Sequence, residues 1–225
     1  MALGKTMRTA AFLLACGATA LAQADTVKLS GFLGKHAAVD IDSPNNINAS
    51  AGEFAGLWNG NSFSAMCVDV LHTIDFTTTY TNYTAKTPAA YGFSPAQMGL
   101  FNKLYTNYYG VSQDSSANAA AFQIAVWEIT YDGNGALDID ANYFDVGTDG
   151  NASAKTTASG WLSTLGTLST GAWSFTVLDS VDVDGNATQD LLVAIPVPEP
   201  GAWALLLAGF GVLLVSGRRR LALSR

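Results

Sequence analysis

The chain has 225 residues, a formal net charge of −7 and nearly half its residues apolar. That length allows one domain with a substantial core between two terminal segments, not two large domains. The only arginines are Arg8, Arg218, Arg219, Arg220 and Arg225, so the central body has just Lys28, Lys35, Lys86, Lys103 and Lys155 against almost all the acidic residues. Such a surface repels phosphate backbones and excludes nucleic acid as a partner.

In chain order, residues 1–24 read as a secretory signal peptide. Lys5 and Arg8 form a basic start, an apolar stretch follows, and Ala22-Gln23-Ala24 is a small-x-small cleavage site before Asp25. Leu13-Leu14-Ala15-Cys16 loosely resembles a lipoprotein box, so lipidation at Cys16 is an alternative. Cleavage at Asp25 leaves Cys67 as the body's single cysteine, with no partner for an internal disulfide.

Residues 25–196 form the central domain. Alternation and β-branched content predict strands over 26–33 and 37–41, with an Asn-, Gly- and Ser-rich loop over 43–60. Strands are expected again over 62–70 and 73–83. Ser94-Pro95-Ala96-Gln97 is a capping box with proline at the first helical position, and it opens a helix expected to stop near Gly110. A second helix follows Asp114-Ser115-Ser116 to about Thr130, with an apolar stripe of Phe122, Ala125, Val126 and Ile129. Residues 138–151 read as a polar loop anchored by Tyr143-Phe144. A weaker helix is expected over 153–168, and closing strands over 173–178 and 190–195. The order of strands, helices and strands predicts an α+β fold: antiparallel strands in a sandwich- or barrel-like sheet, with an inserted region of two to three helices.

Residues 197–225 form the last segment. Val197-Pro198-Glu199-Pro200 precedes an uncharged apolar run, 201–217, which includes Trp203 and is closed by Arg218, Arg219 and Arg220. Its length matches the lower limit of about 17 residues for a membrane-spanning helix, and the arginines hold that end in the cytoplasm. A short Pro-Glu-Pro box, a spanning helix and a basic end resemble the PEP-CTERM sorting tail of Gram-negative bacteria, in the variant with Trp-Ala after the box. The resemblance implies export through the inner membrane, recognition by an exosortase-type membrane protease, removal of the helix, and a final place at the cell surface or in the extracellular matrix. The alternative is a plain anchor kept in the membrane.

Two short motifs carry candidate chemistry. Met66-Cys67-Val68-Asp69 lies on an expected strand, and Phe122-Gln123-Ile124-Ala125-Val126-Trp127-Glu128 on the second helix. Gln123 sits beside the apolar stripe, where a primary amide is costly unless satisfied or consumed. The pair resembles the bacterial thioester domain family. The resemblance implies that Cys67 attacks the side-chain carbonyl of Gln123, ammonia leaves, and an internal thioester remains. Ala125, Val126 and Trp127 match the second motif, whereas Phe122 stands where the family often has Thr or Ser. Met66, Asp69, Phe122, Ala125 and Trp127 would line the thioester pocket. The bond would then acylate an amine or hydroxyl on a surface target, an exopolysaccharide or an envelope protein, in a single turnover that is not enzymatic.

Other readings stay open. Cys67 is otherwise a small buried hydrophobe and Gln123 a capped polar residue, in a non-covalent structural protein of an exopolysaccharide or biofilm matrix. A cysteine hydrolase would need His36 or His72 beside Cys67, but His72, five residues on, falls on the opposite side of a continuous strand. Asp182-Val183-Asp184-Gly185-Asn186 faintly resembles a calcium loop without its bidentate glutamate and reads better as a hairpin turn. No metal or cofactor is called for.

Overall fold

The computed structural model describes residues 24–148, 150–181 and 187–198, together with positions 201, 206 and 210. Nine strands and four helices follow in the order β1 (Asp25–Phe32), β2 (Ala37–Ser43), β3 (Ile47–Ala51), β4 (Phe54–Trp58), β5 (Asn61–Cys67), β6 (Tyr80–Lys86), α1 (Pro88–Tyr91), α2 (Pro95–Ser112), α3 (Ser116–Asp132), β7 (Asp145–Val146), α4 (Ala152–Thr164), β8 (Trp173–Ser180) and β9 (Leu191–Pro196). Six strands close into an antiparallel barrel in the order β1-β4-β5-β9-β8-β6, and β3-β2-β7 form a separate small sheet. The α+β class and the barrel-like sheet agree with the sequence reading. The helices are inserted between β6 and β8.

The barrel explains the main departure from expectation. Residues 43–60 were expected to be a loop, yet they hold β3 and β4. Strand β3 pairs with β2 over five residues, from Ala37–Ala51 to Ile41–Ile47, and β4 fills the space between β1 and β5. Tertiary pairing overrides weak local propensity here. Small residues are what let β4 fit: a Cβ on Gly56 would lie 2.4 Å from the Lys28 carbonyl oxygen of β1.

Two strands are shorter than their patterns. Strand β5 stops at Cys67, because Asp69 folds back on the chain and accepts the Leu71 N–H at 2.8 Å. Strand β6 begins only at Tyr80, after an irregular stretch in which Asp75 accepts from the Thr77 N–H at 2.6 Å.

The helices follow their caps. Ser94 and Gln97 form the reciprocal capping box of α2, which runs two residues past Gly110. Ser115 caps α3 through the Asn118 N–H, and Asn151 caps α4, which ends in a single tight turn over Leu165–Thr167. The four-residue α1, capped by Thr87, has no counterpart in the sequence reading. Helix α3 is not amphipathic as expected. Every residue from Ala119 to Ile129 is buried, because α2, α4, the small sheet and β5 all pack around it. It is the central post of the molecule.

No helix among the described residues is long and apolar enough to cross a membrane, and the apolar run 201–217 lies almost wholly outside those residues.

Candidate functional site

Strand β5 and helix α3 bring the two motifs together. The Cys67 N–H donates to Gln123 Oε1 at 3.0 Å, and Gln123 Nε2 donates to the Cys67 carbonyl at 2.7 Å. The carboxamide of Gln123 is thus clasped on the main chain of Cys67. Both residues are 1% exposed. No other side chain could offer this pair of bonds from mid-helix at that reach, since a primary amide carries both a donor and an acceptor.

The sulfur has its own cradle. Cys67 Sγ donates to the Asp69 carbonyl at 2.9 Å and accepts from the Asp69 N–H at 3.3 Å. Burial pushes the thiol up to about 12, opposed by the contact with the Asp69 main chain and by the Trp127 indole N–H beside the sulfur. Little of the sulfur is thiolate at neutral pH, so a reagent from solution meets a weak nucleophile there. Apart from this approach to the sulfur, the buried Trp127 nitrogen has no partner among the described residues.

Of the expected pocket residues, only Trp127 borders the opening beside Cys67. Met66 is buried and paired with Leu192 across β9. Phe122 packs edge-on against Tyr105 with ring centres 5.0 Å apart, on the α2 side of its helix. Ala125 is wholly buried. Asp69 contributes its main chain to the sulfur, while its carboxylate binds the Leu71 N–H and lies 2.6 Å from His72 Nδ1.

The opening itself was not legible from the motifs. A cleft of about 370 Å³ reaches Cys67 and Trp127, with Phe32, Phe54 and Phe76 among its walls. The three phenylalanine rings form a cluster with centres 5.2–5.7 Å apart, and His36 stacks on Phe32 at 4.1 Å. His72 also borders this cleft, which corrects its expected placement. The strand ends at Cys67, so alternation no longer governs the chain at His72. A hollow of about 460 Å³ lies on the other side of the Asp69–His72 pair, bordered by Tyr91, Tyr131 and Asp190. Among the described residues no group of three or more His, Cys, Asp or Glu is arranged to hold a metal ion, and 182–186 lie outside them.

Of the sorting residues, Pro198 is exposed just after β9, while Glu199, Pro200, Trp203 and positions 218–220 lie outside the described residues. Residues 196–220 match the family described as the PEP-CTERM protein-sorting motif. The chain therefore carries the tail of an exported protein that is sorted to the surface of Gram-negative cells, with processing by an exosortase. Neither the curated proteins nor the solved structures compared with it give a match.

Proposed function

We propose that the exported domain forms an internal thioester between Cys67 and Gln123 and uses it to bind a surface target covalently. The observation that supports this reading is the clasp between the Gln123 carboxamide and the Cys67 main chain, which keeps the acyl carbon beside the residue that bears the sulfur. In the reaction the Sγ–Cδ bond forms, the Cδ–Nε2 bond breaks, and the thiol proton departs on ammonia. Burial of both residues keeps water from the product. An incoming amine or hydroxyl then takes the acyl group and returns the thiol to Cys67.

Intact mass is the deciding measurement. The formed bond leaves the protein about 17 Da below its sequence mass, and Cys67→Ala and Gln123→Ala each restore the full calculated value. Methylamine adds at Gln123 and frees the Cys67 thiol in equal amount. Full mass in the native protein overturns the reading. Silence toward alkylating agents does not decide it, because burial alone suppresses the thiol.

A second reading draws on the same clasp. The two hydrogen bonds already satisfy the Gln123 amide, as in a purely structural pin between β5 and α3 of a non-covalent matrix protein. Full mass favours that reading.

A further inference from the structure

The thioester reading leaves the nucleophile open between amine and hydroxyl, and the cleft beside Cys67 bears on that choice. Its walls carry aromatic faces from Phe32, Phe54 and Phe76, with the amides of Asn48 and Gln189 among them. Among its described lining residues there is no carboxylate, and Asp69 reaches it only through His72. A lysine ammonium entering this space would lose its hydration and meet only phenylalanine faces, whose cation–π attraction is smaller than the cost of desolvating an unpaired charge. It would also have to shed its proton before attacking. A sugar hydroxyl is neutral, the C–H face of a sugar ring is apolar, and amide groups match its remaining hydroxyls.

A hydroxyl, however, needs a base, since it holds its proton nearly as tightly as water does. The structure provides one at the right border. His72 Nδ1 lies 2.6 Å from Asp69 Oδ2, which fixes the ring, and Nε2 makes no hydrogen bond among the described residues. The ring is 46% exposed and borders the same cleft as Cys67. Asp69 therefore ties the two together: its main chain holds the sulfur and its side chain holds the base. The oxyanion donor is already in place, since the Cys67 N–H bonds Gln123 Oε1 at 3.0 Å, and the Trp127 indole N–H beside the sulfur is placed to steady the departing thiolate.

Resting on the thioester reading, we propose that the cleft receives a neutral carbohydrate and that His72, oriented by Asp69, deprotonates the sugar hydroxyl that attacks Gln123. The hydroxyl oxygen bonds to Cδ, its proton passes to His72 Nε2, and the Cys67 N–H donates to the oxyanion. The Cδ–Sγ bond then breaks, and the proton moves from His72 to the Cys67 thiolate. The products are an ester at Gln123 and a free thiol.

The test uses the exported protein purified from its own cells. If the deficit of about 17 Da is absent, the thioester reading falls and takes this assignment with it. With the deficit present, the protein is mixed with dextran- and cellulose-derived oligosaccharides and a lysine peptide at equal concentration. Oligosaccharide adducts should predominate, with an equal amount of thiol released. His72→Asn should keep the deficit but lower the ratio of oligosaccharide to peptide adduct by ~100-fold, the smaller end of what a general base supplies, and added imidazole should restore it. Trp127→Phe should slow both adducts together. Several results would overturn the assignment while leaving the thioester standing: preference for the peptide, no oligosaccharide adduct, or an unchanged ratio in His72→Asn. Loss of the deficit in both His72→Asn and His72→Gln would assign the histidine to bond formation and overturn it too. Unchanged rates in Trp127→Phe would remove the indole from the mechanism.

Discussion

At the scale of single residues, the chain places polar groups in its interior with different degrees of satisfaction. Gln123 has both ends of its amide bonded, whereas Glu128, five residues further along α3 and fully buried, bonds only one oxygen, to the Asp138 N–H at 2.6 Å. Burial raises its carboxyl to about 8, the Asp138 N–H opposes that rise, and the charges of Asp132 and Asp138 add to it. The ordinary value of 4.5 applies in the unfolded chain. The sign follows directly: the unfolded state ionises first, so the contribution of Glu128 to folding stability is fully present below pH 4.5 and is lost as pH rises toward 8. Glu128→Gln removes that loss. Thermal denaturation at pH 8 should show the variant more stable than wild type by about 4 kcal/mol, with the gain vanishing near pH 4.5. A gain of equal size at both ends of the range would mean that Glu128 is not the titrating group.

At the scale of elements, what could be read from the sequence divides along physical lines. The capping box at Ser94 is a local signal, and α2 starts where it says. Ser94→Ala should therefore cost about 1 kcal/mol in chemical denaturation, and Gln97→Ala more, because Gln97 Nε2 also donates to the Ile129 and Thr130 carbonyls at the end of α3. Equal losses would show that this second tie contributes nothing. Strands β3 and β4 were invisible because Asn, Gly, Ala and Ser say little about pairing that only the closed barrel creates. The meeting of Cys67 and Gln123 was legible because two motifs pointed to it. The Asp69–His72 pair was missed because strand periodicity was carried past Cys67, where a single side chain turns the backbone aside. Phe76 was hidden for a similar reason: it lies in the irregular stretch that the alternating threonines and aromatics disguised as strand.

At the scale of the whole molecule, export and sorting set where this barrel works. The mature surface protein should lack residues 203–225 when examined by C-terminal mass mapping, and an intact tail on all surface material would mean the processing signal is not used. The tail also leaves the domain with little slack. Strand β9 ends at Pro196, and the Val197 N–H still bonds the Ala172 carbonyl at 2.8 Å, so Pro198 follows the barrel almost at once. A flexible insertion of ten residues after Val197 should speed tail removal in a pulse-chase, because the protease would no longer work against a folded wall; unchanged kinetics would show that the wall is no obstacle.

That same short connection has a mechanical meaning. Once the C-terminal end is fastened to the cell, drag on the protein is delivered straight into β9, with no spring in between. Strand β9 shares six register pairs with β8 but only two with β5, at Met66 and Cys67. The seam nearest the sulfur is thus the shorter one on the loaded strand, and it lies at the end far from the pull, behind the β8 pairs that begin at Pro196. A covalent catch between Cys67 and Gln123 would tie β5 back to the central helix, leaving β9 to tear away while the chemistry stays shut.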